Sequence, residues 1–196
     1  MFRWETAVAS CCAALGIHPF DQPDVQAAKT FAQKAMEENP EVRPSREGNP
    51  PCSVFEPEKT GPCLDAFLKD RRRGDYIALQ AFLAPSPQNR AGLQAVRRKL
   101  LDRTGLATTL GFGPRFLHST GQLHKGGPNT GLFIQLLDEP ETDLPVPGTA
   151  YTFRKIIRAQ ADGDDRALNE RGRRVLRIQL GREAERGLER LIEIVR

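Results

Sequence analysis

The residues that could do chemistry fall in two stretches of this sequence, and the first runs from His18 to Lys29, H-P-F-D-Q-P-D-V-Q-A-A-K. Asp21 is a suitable helix cap, because its carboxylate accepts hydrogen bonds from the free N–H groups of a first turn. Pro23 suits that turn, since its missing N–H would have no helical partner there. Lys29 then lies about two turns into the predicted helix, where its ammonium group could face an anionic ligand. The same pattern is also typical of a well-formed helix start with a solvated lysine.

The second stretch is Gly111 to Asn129, G-F-G-P-R-F-L-H-S-T-G-Q-L-H-K-G-G-P-N, which follows a predicted strand. Its glycines permit close backbone approach, and Pro114 can start a short helix whose free N–H groups attract an anion. The side chains that could donate hydrogen bonds to such an anion are Arg115, His118, Ser119, Thr120, His124 and Lys125. The loop is predicted either to bind a ligand or to be a strand-to-helix connection whose polar residues satisfy backbone groups.

Several other kinds of site are not indicated. No phosphate-binding G-x-x-x-x-G-K-[ST] run is present. His118 and Ser119 are adjacent, which does not place the imidazole on the hydroxyl as a catalytic triad requires. The cysteines lack metal-ligand spacing and are predicted to be buried, reduced thiols of a cytosolic protein; they are Cys11, Cys12, Cys52 and Cys63. We therefore expect no metal site.

Composition sets limits on the partners of the chain. The 196 residues are 39% hydrophobic and 28% charged, with a formal net charge of +4. This mildly basic balance favours anionic ligands such as sugar phosphates, without the dense basic patch that nucleic-acid binding requires. The sequence pattern indicates neither a signal peptide nor an apolar run long enough to span a membrane. The sequence therefore predicts a cytoplasmic protein with no nucleic-acid partner and no membrane partner.

The N-terminal part is predicted to be helical. Phe2 to Leu15 carries an apolar stripe and ends at Gly16, a typical C-terminal cap. A second helix is predicted to continue to about residue 37. Six prolines between residues 39 and 63 then indicate a linker or an extended surface loop. The predicted organisation is a helical segment at 1–38, a Pro-rich linker at 39–63 and an α/β domain at 64–196.

Strands and helices alternate from Gly74 onward. Apolar runs predict strands at Tyr76–Leu83, Leu106–Phe112, Leu132–Leu137 and Val175–Leu180. Helical periodicity is found at Asn89–Arg103, Phe153–Ala161, Asp165–Arg171 and Glu183–Val195. The predicted fold class is therefore α/β, with a mainly parallel sheet and flanking helices, preceded by an N-terminal helical segment. In such sheets ligands bind beyond the carboxyl ends of the strands, where the loop that starts at Gly111 is expected to lie.

Both stretches resemble a known family. The D-Q-x-x-V-x-x-x-K run from Asp21 to Lys29 resembles the C-terminal catalytic segment of glucose-6-phosphate isomerases, where it ends in the active-site lysine. The preceding F-R-W-E and L-G-I, and above all Gly111 to Gly131, resemble the C-terminal end of the bacterial transaldolase/glucose-6-phosphate isomerase fusion. The resemblance covers nearly the whole chain, with gaps.

The resemblance implies an aldose–ketose isomerase that interconverts glucose 6-phosphate and fructose 6-phosphate without a metal or an organic cofactor. In that family a glutamate moves a proton between C1 and C2, a histidine helps to open the sugar ring, and a lysine at the position of Lys29 stabilises charge near the ring oxygen. Lys29 and His118 are therefore expected to be catalytic. The expected substrate-binding residues are Gln22, Arg115, Ser119, Thr120, His124 and Lys125.

Two parts of the family's machinery have no counterpart in this sequence. These are the segment with the proton-shuttling glutamate and the Ser/Thr-rich phosphate loop. We therefore expect the chain to be the C-terminal portion of such an enzyme, active together with upstream isomerase/transaldolase domains or a homo-oligomer partner. The alternative is a non-catalytic module for sugar-phosphate binding or assembly. Whether a neighbouring coding segment supplies the missing parts discriminates between the two.

Overall fold

The computed structural model describes residues 1–21, 26, 30–34, 36 and 52–195. Helix α1 (Phe2–Leu15) is present as predicted. It ends because Gly16 adopts a left-handed conformation with φ of 67°. In this conformation backbone N–H groups donate hydrogen bonds to the carbonyls of Ala13 and Cys12. Within α1, all of which the structure describes, no residue is buried. Its large apolar side chains, including Phe2 and Trp4, are exposed.

The remaining elements form an α/β unit with a five-stranded sheet. In chain order they are β1 (Cys52–Ser53), α2 (Pro57–Lys69), β2 (Tyr76–Phe82), α3 (Pro87–Thr104), β3 (Ala107–Phe112), α4 (Gly121–Gly126), β4 (Gly131–Leu137), α5 (Phe153–Glu170), β5 (Arg174–Gln179) and α6 (Ala184–Ile194). The strand order is β1-β5-β4-β2-β3, and every pairing is parallel. The predicted α/β class, with a mainly parallel sheet and an N-terminal helix, is confirmed. Across the described ranges no helix is long and apolar enough to cross a membrane.

The α/β unit begins earlier than the sequence predicts. Part of the predicted linker, residues 52–63, forms β1 and the first half of α2, so the expected boundary at Leu64 lies inside a helix. Pro57 suits the first turn, whereas Pro62 removes one helical hydrogen bond at a cost of about 3 kcal/mol. Burial of Leu64 and Leu68, each contributing about 1.5–3 kcal/mol, offsets that cost. The rest of the predicted linker lies outside the described residues.

A second difference concerns α5, which is one helix where the sequence predicts two. The sequence predicts Asp164 or Asp165 as the cap of the second helix. Both are buried inside α5 instead, and the cap is Thr152, whose hydroxyl accepts a hydrogen bond from the N–H of Lys155 at 3.3 Å. An Asp within a helix is tolerated here because its carboxylate finds partners across the fold, as described below.

The strand order determines where a ligand can bind. The chain leaves β2 toward β3 on one side, and leaves β4 toward β5 on the other. The two connections diverge beyond the carboxyl ends of β2 and β4, which are direct neighbours, and ligands of parallel sheets typically bind at such a point. We call this end of the sheet, with the loops that follow β2, β3 and β4, the carboxyl edge.

Candidate functional site

The loop from β2 to α3 closes one side of the carboxyl edge with its own polar residues. Ser86 caps α3 by accepting a hydrogen bond from the N–H of Asn89 at 3.0 Å. The buried Asn89 in turn donates from Nδ2 to the carbonyl of Ala84 at 2.8 Å. These bonds hold the amino end of α3 at the carboxyl edge.

The loop after β3 presents polar side chains to solvent. Arg115 and His118 lie on a four-residue 3₁₀ turn, Arg115–His118, and Ser119 and Thr120 follow it directly. All four are exposed. The hydroxyls of Ser119 and Thr120 both donate to the carbonyl of Phe116 at 3.2 Å, so they close the turn and have lone pairs left to accept. The exposed donors for an anion on this loop are therefore Arg115 and His118.

His124 and Lys125 lie beneath this loop, in the core. The imidazole of His124 is 7% exposed and sits between the rings of Phe116 and Phe133, with centroid distances of 6.0 and 5.0 Å. Its Nδ1 is 3.4 Å from Nε2 of Gln80. Burial, and then the charge of Lys125, lowers the pKa of His124 to about 4, which keeps the ring neutral at pH 7.

Lys125 is 1% exposed, and its ammonium forms an ion pair with the fully buried carboxylate of Asp164 on α5. Gln135 on β4 adds a hydrogen bond from Nε2 to Asp164 Oδ2 at 3.2 Å. Burial raises the pKa of Asp164, while Lys125 and Gln135 oppose that rise. The pair joins α4 to α5 directly below the loop that carries Arg115.

A row of polar residues crosses the sheet under these two helices. The register aligns Gln80, Gln135 and Arg177 side by side on three adjacent strands, so their side chains share one face, and Gly111 occupies the next position along on β3. Arg177 continues the row by pairing with Asp162 of α5 at 2.5 Å. We call Gln80, His124, Lys125, Gln135, Asp164 and Arg177 the buried polar layer.

The glycines of the loop are explained by packing. A Cβ atom at Gly111 would lie 2.7 Å from Cβ of Phe116, and one at Gly113 would lie 2.3 Å from a ring carbon of Phe82. Both glycines therefore let aromatic rings close over the end of β3. The sequence leaves open whether the glycines serve ligand approach or the connection itself, and in the structure these two make room for aromatic rings.

Asp138 is a candidate that was not expected from the sequence. It follows the last residue of β4 at the carboxyl edge. Burial, together with the neighbouring charge of Glu139, raises its pKa to about 6, although a backbone hydrogen bond opposes the rise. A carboxyl group with such a pKa can accept and return a proton near neutral pH. The signal in the sequence was an Asp-Glu pair placed directly after an apolar strand.

The predicted catalytic segment is described only in part. Lys29 and Gln22 lie outside the described residues. Residues 30–34 are helical, and the Phe31 ring lies 4.5 Å from the guanidinium carbon of Arg166 on α5. This segment therefore packs on the helix that carries Asp164.

Other features lie away from the predicted site. A groove of 510 Å³ is lined by residues of α2 and α6 together with Arg103, and none of the predicted site residues lines it. Among the residues that the structure describes, no three His, Cys, Asp or Glu side chains are grouped as a metal ion would require.

Comparison with known proteins gives a likeness of fold. No protein-family model matches the sequence, and the search of curated proteins gives no match. Among solved structures the chain is similar to the hypothetical protein TT0462 from Thermus thermophilus, with a TM-score of 0.56 and 19% sequence identity. The alignment covers 86% of this chain and 43% of that one, so the chain spans less than half the length of that protein. At this identity the similarity shows the fold alone.

Proposed function

We propose that this chain is the C-terminal portion of a glucose-6-phosphate isomerase, which interconverts glucose 6-phosphate and fructose 6-phosphate together with upstream isomerase/transaldolase domains or a second copy. The observation that carries the proposal is the D-Q-x-x-V-x-x-x-K run ending at Lys29, combined with the Gly111–Gly131 run in the same chain. The parallel α/β sheet supports it, because such sheets bind phosphorylated ligands at their carboxyl edge. A cytoplasmic location without nucleic-acid partners is part of the proposal.

In this proposal the exposed loop after β3 receives the sugar phosphate. Arg115 can form charge-assisted hydrogen bonds to phosphate oxygens, and its exposure leaves it accessible from solution. His118, three residues further on, can exchange a proton with a sugar hydroxyl while the ring opens. The buried pair of Lys125 and Asp164 supports this loop from below.

In the proposed reaction, Lys29 and a carboxyl group carry out the steps in which charge develops or a proton moves. The ammonium of Lys29 stabilises negative charge that develops near the ring oxygen. Moving a proton between C1 and C2 needs a carboxylate base, for which the family uses a glutamate that has no counterpart in this sequence. The upstream part is therefore expected to supply it. Asp138 is the carboxyl group of this chain at the carboxyl edge whose raised pKa suits the same task.

A coupled isomerase assay tests the proposal, on the chain alone and with the upstream half added. We expect turnover when both parts are present, and Lys29→Ala should lower kcat far more than it raises KM, because an interaction made mainly in the transition state is lost. Lys34→Ala is the matched control, since Lys34 is an exposed lysine of the same segment. Equal kinetics for Lys29→Ala and wild type would end the proposal for Lys29. Turnover by the chain alone that disappears in Asp138→Asn would assign the proton transfer to this chain.

The alternative is a non-catalytic module that binds a sugar phosphate or assembles with a partner domain. The exposed apolar residues of α1, including Phe2 and Trp4, favour an assembly role, because monomeric proteins rarely expose such groups together. Binding of glucose 6-phosphate without turnover, even with the upstream half present, would favour this alternative.

A further inference from the structure

One edge of the sheet is open along a full strand. β3 is the last strand in the order β1-β5-β4-β2-β3, and it pairs with β2 alone. Among the residues that the structure describes, no backbone group is bonded to the outer side of β3. The strand at the opposite edge, β1, has only two residues, so it offers fewer unpaired groups than β3.

A hydrogen bond shows which backbone groups of β3 point outward. The N–H of Gly113 donates to the carbonyl of Ala81 on β2 at 2.8 Å. Alternate residues of a strand direct their backbone groups to opposite sides, so those of Thr109 and Gly111 also point toward β2. The residues whose N–H and C=O groups point away from the sheet are Thr108, Leu110 and Phe112.

β3 lacks the features that usually protect an edge strand from pairing. Proteins protect such edges with charged side chains, especially lysine, or with proline. Residues 104–114 contain no charged residue, and β3 itself contains no proline. The exposed side chains of the strand, Ala107 and Thr109, are small. Another strand can therefore approach the backbone of β3 without a large steric or electrostatic barrier.

We propose that β3 pairs with β3 of a second copy in antiparallel orientation, about a twofold axis perpendicular to the sheet. The pairing joins the two five-stranded sheets into one continuous sheet. The proposal is independent of the isomerase function, since it concerns the assembly of the fold itself.

The backbone groups of β3 determine the register of this pairing. Such a twofold axis brings side chains of the same face opposite each other, so one residue of β3 lies opposite its own copy. With Leu110 at the axis, Thr108 lies opposite Phe112 of the second copy, and every outward N–H and C=O group of the strand finds a partner. With Thr109 at the axis, the groups of Phe112 lie beyond the start of the other strand and stay unpaired.

The side chains at this axis suit an identical partner. Identical strands bring like charges together at a twofold axis, and β3 has no charge. Arg90, whose guanidinium carbon lies 4.8 Å from the centre of the Phe112 ring, stays far from its own copy, because the two Phe112 residues lie at opposite ends of the pairing. Leu110 packs against the aliphatic cluster but is only half-buried, so contact with its copy buries further apolar surface.

The pairing should be weak and limited to two chains. Strand pairing alone buries less surface than a stable dimer interface needs, so we expect a dissociation constant on the order of 10 µM. Each β3 is used up in the dimer, and the short β1 strands lie at its two outer ends. The association should therefore stop at the dimer.

The test uses the full chain, labelled with ¹⁵N, in dilute and in concentrated solution. Sedimentation equilibrium should show the mass rising from 21.8 kDa toward twice that value. In dilute protein, the amides of Thr109 and Gly111 should be protected from hydrogen exchange, while the outward amides of β3 exchange freely. When about nine tenths of the chains are dimeric, the outward amides should exchange about tenfold more slowly, because they exchange only from the monomer.

Two substitutions test the interface, each measured by sedimentation. Thr108→Pro removes an outward N–H that the monomer does not use, and Thr109→Lys places a positive charge on each side of the axis. Each should raise the dissociation constant by about tenfold or more. Thr142→Lys, which adds the same charge at an exposed position after β4, should leave the constant unchanged. Melting curves establish that each variant folds, and the exchange pattern of the wild-type chain decides where one does not.

Three results would overturn the proposal. The first is a mass that stays at 21.8 kDa in concentrated solution. The second is a dimer in which the outward amides of β3 still exchange freely. The third is a dimer that persists in Thr109→Lys and dissociates in Trp4→Ser, because the exposed helix α1 would then be the interface.

Discussion

The two faces of the sheet bury different chemistry. The face under α2, α3 and α6 forms one aliphatic cluster, to which the central strands contribute Leu79, Leu132 and Ile134. The opposite face, under α4 and α5, carries the buried polar layer between two small apolar clusters. Aliphatic burial stabilises without regard to direction, whereas a buried ion pair is favourable only in one geometry. The comparison indicates that the first face stabilises the fold and that the second face specifies the position of the elements that pack on it.

The second face determines the position of the loop after β3. Lys125 belongs to α4, the helix that ends this loop, and Asp164 belongs to α5. Their pairing therefore holds the exposed Arg115 and His118 above the end of β3. Replacing such a pair by apolar residues often leaves a protein equally stable, so we infer that the pair is retained for geometry.

The largest expected effect comes from breaking that pair. Lys125→Met leaves the buried carboxylate of Asp164 uncompensated, and the free energy of unfolding should fall by about 3–5 kcal/mol at pH 7. The loss should grow as pH rises, because only the protonated Asp164 tolerates the site without its lysine. Urea denaturation at pH 5 and pH 8 measures both effects. Lys99→Met, at an exposed site on α3, should change stability by less than about 0.5 kcal/mol.

A double variant separates geometry from stability. Lys125→Met with Asp164→Leu should recover most of the lost stability, since no buried charge remains. A loss below about 1 kcal/mol for Lys125→Met alone would contradict the ion pair.

The aliphatic face should respond differently to truncation. Ile134→Ala removes a side chain that is 1% exposed, and the free energy of unfolding should fall by about 3 kcal/mol. Because no titratable group is involved, the loss should be equal at pH 5 and pH 8. A loss that changes with pH as it does for Lys125→Met would show that the two faces are not independent.

The next largest expected effect is a loss of stability in acid, which is caused by His124 in the buried polar layer. Its folded-state pKa of about 4 lies below the ordinary value of 6.5, so the unfolded chain binds the proton first. The stability from neutral His124 is therefore present above pH 6.5 and is lost as pH falls toward 4, by about 3 kcal/mol at most. His124→Gln should flatten the difference in unfolding free energy between pH 7 and pH 4. His118→Gln is the control, since His118 is exposed and should leave the profile unchanged.

The sequence predicted the fold class because buried parallel strands read as apolar runs, as in Tyr76–Phe82 and Gly131–Leu137. It did not predict α2, since Pro57 and Pro62 are typical of a linker and the burial that offsets them depends on contacts remote in sequence.

The candidate site was predicted less completely, for a physical reason. Residue types identified Arg115, His124 and Lys125 as donors, but not which of them face solvent. Whether each of these side chains faces solvent or the core depends on partners such as Asp164 and Phe133, which lie on later elements. Asp138 was missed because its raised pKa results from burial, which no local pattern contains.

The smallest effect concerns binding of a sugar phosphate. It tests most directly the claim that the exposed loop after β3 binds the sugar phosphate, while the buried polar layer only holds that loop in place. The full chain, labelled with ¹⁵N, is titrated with glucose 6-phosphate, and backbone amides of residues 113–120 should shift with a dissociation constant near millimolar, or roughly 4 kcal/mol. Arg115→Gln should abolish the shift, whereas Arg98→Gln, at another exposed arginine, should leave it intact. Amides that do not move at millimolar ligand, or shifts that persist in Arg115→Gln, would contradict the claim.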